Sequence, residues 1–420
     1  MLVSVRYRYS VSMRDADVIV VGGGLTGLRA AYELGRGGAA VLVVEGNDSV
    51  GGRVRSSNVD GFILDHGFQV ILSGYPELKS IQGIDSLNLS TFLSGARIQT
   101  DAGCVDLLDW RSGLRGIRSM IKAPFFSYAD LLRLGIFALL SSSSAPHQTG
   151  ISTAEDLRNL GFSEGALQSF VRPFLSGVLV DSSLALDSGA ARFYMGMFSR
   201  GRAALPKGGM QALPDLLASA IGRSHLLLSS RVSKVSEHEV VLASGETLSA
   251  RYVLCAVDGL AAVELGAEAK TMPYGSCATI YFAAERPPYS EPILFLNGTG
   301  RGVVNHVAVV SNVQPSYAPN GRALISVTVV GGSATRSTLL DDVRGELAQW
   351  FGAKAQEWEH LKSFVIPGAV PLRPRFSDGW CNLKGVFYAG DYLSYGSQNG
   401  ALAAGRSAAR AILEHLFTAG

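Results

Sequence analysis

The apolar residues near the start of the chain predict a strand, a helix and a second strand. Residues 17–21 (DVIVV) form a short run rich in β-branched residues, which is typical of a strand buried on both faces of a parallel sheet. Leucine and alanine then recur at helical spacing over residues 25–34, and the glycines within 35–38 end this helix. Residues 40–44 (AVLVV) predict a second buried strand. The pattern therefore indicates a βαβ unit.

The turn between the first strand and the helix carries three spaced glycines. Gly22, Gly24 and Gly27 give the pattern G-x-G-x-x-G. The first permits a tight turn, the second lets the backbone approach a pyrophosphate, and the third lets helix and strand pack closely. The helix start presents free N–H groups and a positive dipole end to phosphate. Glu45, at the end of the second strand, can accept both hydroxyls of an adenosine ribose, so the unit predicts dinucleotide binding.

The residues after Glu45 and those near the other end of the chain distinguish between dinucleotides. Gly51, Gly52 and Arg53 follow the acid after a short loop, and a predicted strand leads into Gly-Asp and a last helix over 385–413. In these features the chain resembles the superfamily of flavin-containing amine oxidases, phytoene desaturases and protoporphyrinogen oxidases. The resemblance covers nearly the whole chain and implies that FAD is the cofactor.

The resemblance also implies where the cofactor is held. Residues 61–69 are similar to the family pattern G-F-x-x-D-x-G-x-Q, which lines the flavin ring, and the turn at 397–401 opens a helix that points at the flavin pyrimidine. Together, the glycine pattern and the resemblance give these expected cofactor-binding residues: Gly22, Gly24, Leu25, Thr26, Gly27, Glu45, Gly46, Gly51, Gly52, Arg53, Gly67, Phe68, Val232, Gly390, Asp391, Gln398, Asn399 and Ala401.

The expected fold is α/β, a doubly wound Rossmann-type FAD-binding domain with an inserted α+β substrate domain. The FAD-binding domain is expected to be discontinuous, and residues 1–13 are expected to form a flexible extension. The expected bounds are 14–80, 205–270 and 366–420 for the FAD-binding domain, and 81–204 and 271–365 for the substrate domain.

Composition and charge exclude several classes of function. The chain of 420 residues has 37 Lys and Arg against 35 Asp and Glu, a balance that argues against general nucleic-acid binding. The four cysteines show no C-x-x-C spacing and the seven histidines are dispersed, so no metal site is predicted. Scattered cysteines favour a reduced, cytoplasmic location. No uninterrupted apolar stretch reaches the length of a membrane span.

The candidate catalytic residues are His66, Gln69, Lys207, Thr279 and Tyr395. For His66 the favoured interpretation is a structural histidine beside a backbone turn, with an acid or base role as the alternative. In amine oxidases a lysine on the strand equivalent to 273–283 binds a water near flavin N5. Alignment puts Thr279 at that place, and residues 273–284 contain no lysine. This departure from the family pattern weakens the assignment of an ordinary primary- or secondary-amine oxidase.

The resemblance implies an FAD-dependent oxidoreductase that removes hydride from a small amine-bearing or apolar molecule. Oxidation of a C–N bond is one interpretation. Dehydrogenation of a C–C bond, or double-bond isomerisation of an apolar substrate, is the alternative. A non-catalytic binding protein with the same fold is a third, minor interpretation. The sequence leaves the electron acceptor open.

Basic and apolar residues separate onto two faces of a predicted helix near residue 115. The basic positions are Arg111, Arg115, Arg118 and Lys122, and the apolar positions are Leu114, Ile117, Ile121 and Phe125. This pattern favours a solvated basic face over a buried apolar face. The alternative is weak contact of residues 111–140 with an anionic membrane surface.

Overall fold

The computed structural model describes residues 16–141, 147–267, 273–372 and 377–418, so the predicted extension at 1–13 lies outside the described residues. The strands are β1 Ala16–Val21, β2 Val41–Val44, β3 Ser56–Val59, β4 Phe62–Asp65, β5 Ile71–Leu72, β6 Ser90–Thr91, β7 Gly95–Thr100, β8 Gly103–Leu108, β9 Ala203–Leu205, β10 Leu226–Leu227, β11 Val232–Val235, β12 Glu239–Leu242, β13 Thr247–Cys255, β14 Tyr274–Ala284, β15 Leu294–Asn297, β16 Val304–Val309, β17 Ala323–Val330, β18 Glu359–Pro371, β19 Trp380–Leu383 and β20 Val386–Ala389. The helices are α1 Leu25–Arg36, α2 Leu114–Lys122, α3 Tyr128–Leu140, α4 Thr153–Asn159, α5 Glu164–Ala166, α6 Arg172–Leu179, α7 Ser188–Arg200, α8 Ala212–Ile221, α9 Gly259–Glu264, α10 Val310–Val313, α11 Leu339–Phe351 and α12 Gln398–Thr418.

The chain divides into two compact units. The first comprises the described residues of Met1–Gly52, Pro214–Met272 and Ser377–Gly420, and the second those of Arg53–Leu213 and Pro273–Phe376. The first unit is therefore assembled from three separate stretches of sequence, and the second from two.

The first unit is built on a parallel sheet with the strand order β10-β2-β1-β13-β20. Ile19 and Val20 of the central strand β1 are fully buried, as its apolar run predicts. Strands β11 and β12 add an antiparallel meander to β13, and β19 pairs antiparallel with β20. Helix α12 packs on α1 so closely that a Cβ atom at Gly405 would lie 2.2 Å from the carbonyl oxygen of Thr26. This architecture confirms the predicted doubly wound fold.

The second unit contains a sheet of seven strands in the order β18-β14-β17-β16-β15-β7-β8. Its neighbouring strands are antiparallel except for the parallel pair β15 and β7. Ile280 and Phe282 face a core that includes Val343 of α11. Tyr281, pointing to the opposite face, packs in a core with Phe62 of β4. Helices α2 to α7 belong to the same unit, which confirms the predicted α+β insertion.

Residues 53–80 and 205–213 belong to the second unit, whereas the sequence assigned them to the FAD-binding domain. The physical reason is their hydrogen bonding. Strand β9 pairs with both β5 and β6, and Asp65 at the end of β4 accepts hydrogen bonds from Met210 and from Tyr317. These pairings tie both stretches to other residues of the second unit.

The predicted burial of the apolar face of α2 is wrong. Leu114, Ile117 and Ile121 are 73%, 46% and 52% exposed. The helix instead packs through small residues: a Cβ atom at Gly116 would lie 2.0 Å from the carbonyl oxygen of Asp109. Of the four apolar positions, Phe125 alone joins the core cluster that α2 covers.

Candidate cofactor and substrate site

The three glycines of the β1–α1 turn have three different surroundings. Gly22 has a φ of +106°, which side chains rarely adopt, and a Cβ atom there would lie 2.8 Å from the carbonyl oxygen of Ala256. A Cβ atom at Gly27 would lie 1.9 Å from the carbonyl oxygen of Gly22, so this glycine lets α1 approach β1. At Gly24 a Cβ atom would meet no atom within 4 Å. The turn is closed on the protein side and open at Gly24.

The start of α1 has the properties of a phosphate-binding helix terminus. Its N-cap residue, Gly24, makes no side-chain cap, and the first turn contains no acidic residue. Leu25 and Thr26 are nevertheless 4% and 6% exposed. The first N–H groups of a helix lack partners within the helix, and a buried terminus needs them satisfied. The phosphate oxygens of FAD fit this terminus because they accept hydrogen bonds and complement the helix dipole.

The Glu45 carboxylate connects β2 to the glycine turn. One of its oxygens accepts the N–H of Gly23 at 2.6 Å, and the other accepts the N–H and side-chain amide of Asn47 at 2.8 and 2.7 Å. A carboxylate has about four lone-pair sites, so acceptor capacity remains for ribose hydroxyls. The N–H of Gly51 donates to the carbonyl of Gly23 at 2.8 Å, which sets the Gly51-Gly52 segment beside the turn. The glycine turn, Glu45 and the Gly51-Gly52 segment therefore lie together in the first unit.

The remaining cofactor candidates of the first unit lie after β20 and at the edges of the sheet. Asp391 is buried directly after β20, and a Cβ atom at Gly390 would lie 2.4 Å from the ring of Tyr392. At the start of α12, Asn399 donates its side-chain amide to the hydroxyl of Tyr395 at 2.6 Å. Gln398 and Ala401 lie in the first turn of α12, Gly46 follows Glu45, and Val232 begins β11.

Arg53, Gly67 and Phe68 are placed in the second unit. Arg53 donates to the carbonyl of Ala369 on β18 at 2.8 Å. A Cβ atom at Gly67 would lie 2.7 Å from the Ile366 side chain, so the chain passes close to the same strand. The N–H of Phe68 donates to the Thr279 hydroxyl at 2.9 Å. These contacts fix the family-pattern segment against β14 and β18.

His66 lies flat on Phe364, with ring centroids 4.6 Å apart, and its Nε2 atom is 2.7 Å from the hydroxyl of Ser57. Burial lowers the pKa of His66 below its usual value, and the positive charges of Arg55 and Lys362 lower it further. The imidazole is therefore neutral near pH 7 and is able to accept a proton. Gln69 is turned back onto the chain, donating to the carbonyl of Arg53 at 2.9 Å.

A row of polar side chains crosses the inserted sheet beside Phe68. Thr279 on β14 is in register with Thr328 on β17, and Thr328 is in register with His306 on β16. All three are buried, and the His306 ring lies 4.9 Å from the ring of Phe68. Neither the Thr328 hydroxyl nor the Nε2 atom of His306 has a hydrogen-bond partner. We call the set of His66, Phe68, Thr279, Thr328 and His306 the substrate face.

His306 is a neutral hydrogen-bond acceptor in this row. Its Nδ1 atom is 2.8 Å from the side-chain oxygen of Asn305, while the amide nitrogen of Asn305 donates to the carbonyl of Pro173. Nδ1 therefore carries the proton, and Nε2 carries the lone pair. Burial lowers the pKa of His306 to about 3. Sequence reasoning missed His306 and Thr328, although each is a polar residue inside a mainly apolar strand.

The structure brings His66, Gln69 and Thr279 together around Phe68 and does not do so for the other two catalytic candidates. Lys207 is exposed in the turn after β9, where its N–H donates to the carbonyl of Leu87. Tyr395 is buried within the first unit.

The hydrogen bond between Thr279 and Phe68 gives a testable prediction. Thr279→Val keeps the shape and removes the acceptor, which leaves the N–H of Phe68 without its partner. We expect the free energy of unfolding to fall by about 1–3 kcal/mol. Thr328→Val is the matched control: its hydroxyl has no partner, so the same change should leave stability unchanged or raise it. Urea denaturation of both variants is the measurement, and equal effects would contradict the prediction.

The described part of the chain shows neither a metal site nor a membrane-spanning helix. No group of three or more His, Cys, Asp or Glu among these residues is arranged to hold a metal ion. None of the described helices combines the length and the apolar content needed to cross a membrane.

Comparison with known proteins identifies the relatives of the chain. The family described as flavin-containing amine oxidoreductase matches residues 25–413. A putrescine oxidase of Kocuria rosea is 44% identical over 78 residues, 19% of this chain and 16% of that protein. The mitochondrial protoporphyrinogen oxidase of Nicotiana tabacum is 24% identical over 490 aligned positions that cover 95% of each protein. The match to the putrescine oxidase thus spans less than a fifth of that protein.

A solved structure, the cyclohexylamine oxidase of Brevibacterium oxydans, superposes with a TM-score of 0.74 at 22% identity, covering 96% of this chain and 99% of that one. This likeness confirms the predicted fold. The family match confirms the resemblance stated from the sequence, the oxidoreductase class and FAD as the cofactor.

Proposed function

Because the chain belongs to the flavin-containing amine oxidoreductase family, we propose that it oxidises a C–N bond in a small, uncharged amine. The observation that carries this proposal is the lone pair on Nε2 of His306, which has no donor and lies in register with the partnerless hydroxyl of Thr328. An N–H group of a neutral amine supplies the donor that this nitrogen lacks.

The electrostatics of the substrate face favour an uncharged substrate. His306 and His66 are neutral near pH 7, because burial lowers both pKa values. The positive charges of Arg55 and Lys362 that depress the pKa of His66 would also repel an ammonium group. An amine therefore binds here in its deprotonated form.

A second function, dehydrogenation of a C–C bond in an apolar substrate, is favoured by a different observation. Thr279 stands where amine oxidases of this family carry a lysine, and its hydroxyl is already engaged by the N–H of Phe68. The ring of Phe68 lies edge-on to Phe92 at 6.2 Å, within an apolar cluster that also contains Phe364. Such surroundings suit a substrate without polar groups.

The glycine turn, the start of α1 and Glu45 would hold FAD, which would supply the hydride acceptor for either reaction. The residues of the chain bind the substrate, orient it and accept its proton. Thr279 holds the backbone of Phe68, and His306 orients the amine through Nε2. The substrate loses one hydride and one proton as its C–N single bond becomes a double bond. His66 takes the proton, since its imidazole is neutral and Ser57 steadies it.

Anaerobic mixing of the flavin-loaded protein with a substrate panel tests the proposal. The panel contains primary and secondary amines, linear polyenes and cyclic unsaturated ketones, and the readouts are loss of flavin absorbance and product mass. The proposal expects bleaching by amines, with an imine two mass units lighter than the amine or the carbonyl compound formed when water hydrolyses that imine, at rates that rise as pH approaches the amine pKa. Bleaching by polyenes or cyclic ketones alone would replace it with C–C dehydrogenation. Protein that purifies without flavin would indicate the non-catalytic alternative.

A further inference from the structure

Helices α2 and α3, together with the short 3-10 helix Trp110–Ser112 before α2, present an unusual number of large apolar side chains to solvent. Trp110, Leu114, Ile117, Ile121, Tyr128 and Leu132 are between 46% and 79% exposed. We call these six residues and the helices that carry them the α2–α3 surface. Single exposed apolar residues are normal in globular proteins, whereas several within one short stretch mark an interaction site.

The outward position of the aliphatic residues follows from how α2 is anchored. Its packed side consists of Gly116, whose Cβ atom would meet the carbonyl of Asp109, and of Ser119, which accepts the N–H of Leu108 at 2.8 Å. At about 100° per residue, the stripe of Leu114, Ile117 and Ile121 lies roughly opposite this side. The helix is thus held by small residues and keeps its apolar stripe free.

Three cations border the apolar stripe. Arg115, Arg118 and Lys122 are exposed and lie about a quarter-turn around the helix from the stripe. Within the described residues none of the three makes an ion pair. Residues 110–141 contain one acid, Asp130, which is buried and hydrogen-bonded to Ser127 and Ser163. The exposed charge of the α2–α3 surface is therefore wholly positive.

We propose that the α2–α3 surface docks this protein onto an anionic phospholipid bilayer. Aliphatic side chains beside a basic stripe allow a helix to lie in the interface, with the apolar stripe in the acyl boundary and the cations at the phosphates. Trp110 and Tyr128, 67% and 79% exposed, have the amphipathic rings that concentrate at headgroup level. The positive charge of this surface complements an anionic bilayer and not a neutral one. This docking is independent of the reaction proposed above.

Vesicle sedimentation with the full-length, flavin-loaded chain tests whether the positive charges contribute to binding. We expect binding to phosphatidylcholine vesicles that contain phosphatidylglycerol, and binding that weakens as salt is added. The triple variant Arg115→Glu, Arg118→Glu, Lys122→Glu should bind these vesicles about a hundred-fold more weakly or worse. A control with the same charge change at exposed positions elsewhere, Lys234→Glu, Arg336→Glu, Lys354→Glu, should bind as the parent does.

Replacement of Leu114, Ile117 and Ile121 with serine tests whether the apolar stripe contributes to vesicle binding. These side chains are exposed, so the variant should keep its flavin and thermal midpoint while losing vesicle binding at least ten-fold. Leu260→Ser with Phe417→Ser, at exposed sites of the other unit, is the control. Equal binding to neutral and anionic vesicles, or no binding to either, would overturn the proposal. So would serine variants that abolish self-association in sedimentation velocity while vesicle binding persists, because the surface would then be covered by a second copy.

Discussion

Gly27→Ala is expected to purify without flavin and to unfold at a lower temperature than the parent. A Cβ atom there would lie 1.9 Å from the carbonyl oxygen of Gly22 and 3.2 Å from the Val20 side chain. Neither neighbour can give way freely, since one is backbone and the other is a fully buried residue of β1. The start of α1 must move off the strand, at a cost of about 3 kcal/mol. That displacement would move away the N–H groups proposed to hold the pyrophosphate of FAD.

The same substitution at Gly35, the next-to-last residue of α1, provides the control. A Cβ atom at Gly35 would meet nothing within 4 Å, and alanine favours helix over glycine by up to about 1 kcal/mol. Gly35→Ala should keep its flavin and be as stable as the parent or more so. The measurements are the ratio of flavin to protein absorbance after gel filtration and the thermal midpoint. A Gly27→Ala protein with full flavin content would show that α1 and β1 are not in the close contact described.

Asp65→Ala is expected to be the most destabilising single change in the second unit. The carboxylate accepts hydrogen bonds from the hydroxyls of Ser56 and Tyr317 at 2.6 and 2.9 Å and from the N–H of Met210 at 2.9 Å. Alanine leaves these three donors without an acceptor, so the free energy of unfolding should fall by about 3–5 kcal/mol. The exposed Asp85→Ala should change it by no more than about 0.5 kcal/mol. Urea unfolding of both proteins checks the difference, and similar values would contradict the burial of Asp65.

The pH dependence of stability tests the same residue in a second way. Burial raises the pKa of Asp65 to about 6. Between about pH 4 and 6 the unfolded chain therefore gives up this proton before the folded protein does. The group's stabilising contribution is complete below pH 4 and is lost as pH rises through 6, a change of about 3 kcal/mol. Asp65→Asn, which cannot ionise and can donate to Tyr317, should lack this component when denaturation is measured across the range. If the free energy of unfolding changed with pH in the same way for the parent and the variant, the raised pKa of Asp65 would be disproved.

The elements that the sequence predicts correctly are those whose local pattern and tertiary surroundings agree. The run at β1 is apolar throughout because both faces of the central strand are buried, and the spacing of Gly22, Gly24 and Gly27 follows directly from the tight turn they make. Pattern alone predicts the dinucleotide-binding unit, because this unit has a fixed backbone geometry that few residue types satisfy, whereas FAD is implied only by the family resemblance.

The residues that the sequence does not predict depend on contacts between strands far apart in the chain. Nothing local to β16 or β17 sets His306 beside Thr328 in one register, because that register depends on the pairing of whole strands. The predicted burial of the apolar face of α2 is wrong for a related reason. Its periodicity gives an apolar face correctly, but the packing of Gly116 against Asp109, not hydrophobicity, decides which face is buried.

The assembly of the first unit from three separate stretches has a consequence for biosynthesis. Strand β13 completes the centre of the sheet more than two hundred residues after β1, and α12, which covers α1, follows later still at residues 398–418. Contacts between such distant segments carry a high loop-closure entropy and form late. While the ribosome is still translating the chain, the apolar residues of β1 and α1 are made but not yet enclosed. A nascent chain therefore exposes these apolar residues until β13 and then α12 have been made.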